Sequence, residues 1–143
     1  MDVADTSFLF SLYGNDAHSS SAIAWTDGQK QPVAIGILAR YELGNALRFA
    51  AFRKVISLAD ATYSLAAFES DIKTGHLVMA QADLAQVVAE AMRLSSLHTF
   101  AGGHRSFDIL HVATASVLKA KHFLSFDNNQ KKLAEAAGLA IGP

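Results

Sequence analysis

Short apolar runs alternate along this chain with longer segments of helical period. Val3-Ala4, extended to Asp2 at most, predicts a first strand, and Thr6 to Tyr13 a helix stopped by Gly14-Asn15. Asp16 offers a cap for a helix over 17–27 that ends near Gly28. After a turn at Gln29–Pro32, Val33–Ile37 predicts the second strand. Leu38–Arg53 has helical spacing, with Tyr41, Asn45, Arg48 and Phe52 on one flank and Leu43, Leu47 and Ala50 on another. A further helix runs from Leu58, with Asp60 in its first turn, to Lys73, and Gly75 closes it. His76–Met79 predicts a third strand.

Asp83 opens a long helix to about His98, followed by a glycine-bearing loop over Thr99–Arg105. Ser106 suits the N-cap of a helix over Phe107–Ala120. Phe123–Ser125 predicts a fourth strand. A helix from Asn128 or Asn129 to Ala137 ends at Gly138, and Leu139–Ile141 predicts a short edge strand. Strands alternating with helices imply an α/β domain whose mostly parallel sheet is covered on both faces. Sites in such sheets form beyond the C-terminal strand ends, at a switch in strand order. Asp5 and Asp127 each follow a predicted strand and are expected on one rim.

The 143 residues fit one domain over 1–143, and 51% of them are apolar, enough for a real core. There is no cysteine, which excludes disulfides, thiolate metal sites and a cysteine nucleophile and fits a reducing cytoplasm. The start, with Asp2 and Asp5 and no basic segment, does not read as a signal peptide. No apolar run reaches the roughly 18–20 residues of a membrane span. The net charge of −1 gives no bulk attraction for nucleic acid and leaves room for a local basic patch.

Four carboxylates change this picture. Asp5, Glu42, Asp108 and Asp127 each adjoin or interrupt a segment apolar enough to be core. A buried carboxylate costs several kcal/mol, on the order of the relaxed desolvation penalty, unless it is paired or metal-bound. Three of them have structural readings: Asp5 as a helix cap, Asp108 as a first-turn acid favoured by the helix dipole, and Asp127 as an Asx-turn residue. Glu42 has the weakest such reading, because Arg40 at i,i+2 cannot share its face. Together the four suit Mg²⁺ or Mn²⁺, which take oxygen ligands. Such a metal can activate water for in-line attack on a phosphodiester.

The segments Asp5-Thr6-Ser7, Arg40-Tyr41-Glu42-Leu43-Gly44-Asn45-Ala46-Leu47, Asp108-Ile109-Leu110-His111-Val112-Ala113-Thr114-Ala115 and Ser125-Phe126-Asp127 resemble the ordered acidic motifs of PIN-domain ribonucleases. The likeness is greatest to VapC-type toxins of bacterial toxin–antitoxin pairs, and it runs from about residue 3 to 141. It implies a three-layer α/β/α fold and an endoribonuclease that depends on Mg²⁺ or Mn²⁺. It also implies a cognate antitoxin that holds the enzyme inactive, and a homodimer. By position, Asp5, Glu42, Asp108 and Asp127 match the four catalytic and metal-binding acids. Ser7 and Ser125 match hydroxyls that support them; the family more often has Thr at the position of Ser125.

Other residues read more modestly. His111, one turn after Asp108, reads first as a packed histidine with one hydrogen bond and second as a metal ligand. His104 and Arg105 read equally as phosphate contacts or as a solvated loop. Phe49, Phe52, Tyr63 and Phe68 read as core or a dimer face, and in a toxin as the seat of an amphipathic antitoxin segment. A non-cleaving PIN-like module that binds RNA or a partner is the competing reading. A phosphate-accepting receiver domain is disfavoured, because Lys119 and Lys121 precede the fourth predicted strand.

Overall fold

A computed structural model describes all 143 residues. Five short strands form one sheet: β1 (Asp2–Ala4), β2 (Val33–Ile35), β3 (Leu77–Met79), β4 (His122–Leu124) and β5 (Ala140–Gly142). Their order is β3-β2-β1-β4-β5 and every pairing is parallel. Seven helices complete the chain: α1 (Thr6–Tyr13), α2 (Ser19–Asp27), α3 (Ile37–Phe52), α4 (Leu58–Thr74), α5 (Leu84–Gly102), α6 (Ser106–Val117) and α7 (Asn128–Ala136).

Alternation along the strands divides the core into two faces. Val3, Ala34 and Phe123 point to one side, where Val87, Leu94, Val112 and Leu133 of α5, α6 and α7 cover them. Ala4, Val33, Ile35, Leu77 and Leu124 point to the other, packed by Phe8, Leu9, Leu43, Leu47 and Phe68 of α1, α3 and α4. This is the three-layer α/β/α arrangement, with β1 at its centre. Chain connections leave β1 toward β2 and β4 toward β5, in opposite directions. The crevice therefore opens between the C-terminal ends of β1 and β4.

Several boundaries differ from the pattern reading, each for a local reason. β2 stops at Ile35, and α3 begins at Ile37 with Gly36 as its cap. A Cβ on Gly36 would lie 3.1 Å from Thr114 Cγ2, so glycine lets α3 start close against α6. α5 runs on to Gly102, through the segment expected as loop, and ends where Gly103 adopts φ 63°. Arg105, not Ser106, is the N-cap of α6, which stops at Val117. His18 is the cap position of α2, and Asp16 accepts from its N–H at 2.8 Å. Ser57 and Asp60 form a capping box at α4. Phe68 is core, whereas Phe49, Phe52 and Tyr63 are exposed.

Candidate active site

Asp5 ends β1 and caps α1, accepting from Phe8 N–H at 2.8 Å. Its carboxylate has no exposed surface. Ser7 donates to it at 2.8 Å and Ser125 at 2.6 Å. Each serine has one proton, and both protons are used on Asp5. Their remaining lone pairs accept backbone N–H groups: Phe126 N–H reaches Ser7 at 2.9 Å and Asp127 N–H reaches Ser125 at 3.0 Å. The turn after β1 is thereby fastened to the turn after β4. Burial pushes the Asp5 carboxyl above its usual range, and the bonds from Ser125, Phe8 and Ser7 oppose it.

Asp127 follows β4 and caps α7, accepting from Asn129 and Gln130 N–H at 2.8 and 3.0 Å. Asp108 lies in the first turn of α6 and is buried. Arg105 donates to it through Nε at 2.8 Å and places Nη2 3.6 Å from Asp127 Oδ2. Glu42, from α3, accepts from Thr6 Oγ1 and contacts His111 Nε2 at 2.6 Å. Burial works to raise the Glu42 carboxyl. Hydrogen bonds from His111 and Thr6, with the charges of His111 and Arg105, outweigh it and hold Glu42 below its ordinary value.

All four predicted acids thus reach the same rim, each from a different part of the chain. Asp5 and Asp127 are joined through Ser125, and Asp108 and Asp127 through Arg105. No three acidic or histidine side chains stand close enough together to share a metal ion in this arrangement. The donor chemistry nevertheless fits a hard divalent cation, since all four are carboxylates. If Ser7 commits its proton to Oδ1 of Asp5, Oδ2 keeps a lone pair beyond the one used by Ser125. A cation, the Arg105 guanidinium, already lies against Asp108 and Asp127.

Thr6 and His111 hold Glu42, a role the sequence reading did not assign. His111 is packed, as expected, but its bond falls on a candidate acid. The available signal was the i,i+3 spacing of Asp108 and His111 on one helix face.

The PIN-domain profile matches residues 3–136. The chain belongs to the PIN-domain family. Among solved structures this PIN domain resembles VapC20 of Mycobacterium tuberculosis, described as a sarcin-ricin loop cleaving toxin. The TM-score is 0.71 at 16% identity, over 100% of both chains. It also resembles PAE2754 of Pyrobaculum aerophilum, with TM-score 0.66 and 21% identity over 98% of this chain and 87% of that one. FitAcB of Neisseria gonorrhoeae matches with TM-score 0.67 and 14% identity, over 100% and 97%. At these identities the likeness speaks for the fold. No curated protein sequence matches the chain.

Proposed function

We propose that this PIN domain is an endoribonuclease dependent on Mg²⁺ or Mn²⁺, the toxin of a toxin–antitoxin pair working in the cytoplasm. The observation that carries the reading is the gathering of Asp5, Glu42, Asp108 and Asp127, from four separate segments, at the crevice between β1 and β4. Each acid is held by a partner side chain, Ser125 on Asp5, Thr6 and His111 on Glu42, and Arg105 on Asp108 and Asp127. These four would hold the cation, with Ser7 and Ser125 fixing Asp5 and with Thr6 and His111 fixing Glu42. Bound there, a divalent cation would neutralise phosphate charge and supply an activated water. Glu42, with a side chain 34% exposed and held in its charged form by His111 and Thr6, is the acid most open to solvent and to an incoming cation.

Membership of a nuclease family supports the activity. VapC20, described as a sarcin-ricin loop cleaving toxin, shares the fold and supports the toxin assignment. The solved structure of FitAB bound to a DNA fragment, alike in fold with TM-score 0.67 and 16% identity over 99% of this chain and 93% of that one, supports a DNA-binding antitoxin as partner. The exposed face of α3 and α4, with Phe49, Phe52, Leu58 and Tyr63, offers that antitoxin an apolar seat. Leu84, Val88 and Met92 follow one another at i,i+4 on the outer side of α5 and suit the contact of a homodimer.

A second reading, a PIN-like module that binds RNA or a partner without cutting, draws on one observation: Arg105 already neutralises two of the acids. Incubation with RNA and Mn²⁺ or Mg²⁺, with and without EDTA, separates the two. Cleavage that EDTA abolishes and that Asp108→Asn removes supports the enzyme. RNA binding with no cleavage under any metal condition establishes the module.

A further inference from the structure

Arg105 is placed unlike an ordinary surface arginine. Its side chain is 76% exposed, yet the carboxylates it meets are 8% exposed in Asp108 and 27% in Asp127. It covers them from the solvent side. Its hydrogen bonds run to Asp108 alone, through Nε at 2.8 Å and Nη2 at 3.5 Å. As the N-cap residue of α6 it makes no side-chain capping bond. Withdrawal therefore breaks no capping bond; it gives up the i,i+3 pair with Asp108 and needs only rotation about the side chain's own bonds. The charges of Asp108, Asp127 and Glu42 all act on its guanidinium.

A divalent ion held by Asp108 and Asp127 would compete for the same oxygens. It would also stand within a few ångströms of the guanidinium, where a double positive charge repels a single one. The two cations cannot share the pair in its present arrangement. We propose that Arg105 is a resident counter-cation of the acidic site, neutralising Asp108 and Asp127 in the metal-free protein and leaving them when a divalent cation binds. Metal loading is then an exchange, and Arg105 sets the metal concentration at which the site fills. This inference rests on the metal-dependent reading above.

Mn²⁺ uptake, followed by the electron paramagnetic resonance signal of free Mn²⁺, tests it in the whole protein without RNA. Arg105→Gln is expected to bind Mn²⁺ roughly fivefold tighter, the ratio corresponding to the ~1 kcal/mol upper range of an exposed ion pair. Arg105→Lys keeps the charge but not the fork and is expected to fall between Arg105→Gln and wild type. Mn²⁺ uptake that Asp108→Asn abolishes but that Arg105→Gln leaves unchanged or weaker overturns this inference alone. A wild-type protein that takes up no Mn²⁺, or an Asp108→Asn variant that binds it like wild type, removes the metal site itself and this inference with it.

Discussion

Ser125 donates to Oδ2 of Asp5 at 2.6 Å while accepting from Asp127 N–H at 3.0 Å, so one buried hydroxyl joins two of the four site acids. Loss of that hydroxyl leaves Asp5 short of a donor and orphans a backbone N–H. Ser125→Ala is expected to lower stability by about 1.5–3 kcal/mol, the range for a hydrogen bond to a charged group. Urea unfolding with an unchanged m-value checks it. A loss below ~0.5 kcal/mol would mean that water replaces the hydroxyl.

Asp5 has a raised carboxyl because it is buried. Its folded-state value lies above its unfolded one. The associated stability is fully present below the unfolded value and is lost as pH rises through the folded one. Above the unfolded value the burial of this carboxyl therefore costs stability. Asp5→Asn is expected to abolish RNA cleavage, raise the melting temperature at pH 7 by a few degrees, and flatten the wild type's loss of stability on raising pH from the acid side. Differential scanning fluorimetry in EDTA across that range tests the sign. A lower melting temperature at pH 7 would show that the bonds from Ser7, Phe8 and Ser125 outweigh the burial.

Glu42 depends on two neighbours for its position. His111 contacts it at 2.6 Å, and Thr6 donates to it. Removing a group that orients a metal-binding carboxylate typically costs 10–100-fold in activity or metal affinity. His111→Ala is accordingly expected to reduce cleavage about 10–100-fold while leaving secondary structure intact. His111→Gln, which can still reach Glu42 with a hydrogen bond, should recover part of the loss. Equal activity in both variants would reduce His111 to a packing residue.

Much of this was legible in the chain, and the parts that were not have physical reasons. The parallel sheet followed from the alternation of elements, and the shared rim of Asp5 and Asp127 from their positions after strands. The structural readings of three acids also hold: Asp5 is a cap, Asp127 makes the Asx-type bond to Asn129 N–H that leads into α7, and Asp108 sits in a first turn. Capping and site placement coincide because a helix that follows a strand in a parallel sheet starts at the rim where sites form. The partners of Glu42 were not legible. Thr6 and His111 lie 36 and 69 residues from it, and only packing of α3 against α1 and α6 brings them together. In sequence Arg105 suits a solvated loop as well as a phosphate contact, since capping of α6 at residue 105 rather than 106 decides where its side chain emerges. The end of α5 is hidden in sequence because Ala101-Gly102-Gly103 reads as loop, while only Gly103 takes the left-handed conformation.

Away from the site, Tyr13 Oη donates to Asp71 Oδ2 at 2.7 Å and links α1 to α4. Burial first, then the hydrogen bond and charge of Asp71, push the Tyr13 phenol well above its ordinary value. The neutral form is the one the fold favours. Its contribution is fully present below the unfolded value, about 10 for tyrosine, and is lost as pH rises beyond it. Tyr13→Phe keeps the ring against Phe68, with centroids 5.3 Å apart, and removes only the hydroxyl. It is expected to cost about 1 kcal/mol at pH 7, the usual net worth of one hydrogen bond. Its unfolding midpoint should then fall less steeply than wild type above pH ~10, where the wild-type phenol must resist ionisation. Parallel urea titrations at pH 7 and in the alkaline range measure both effects. Identical alkaline slopes in the two proteins would show that Tyr13 ionises as freely when folded as when unfolded.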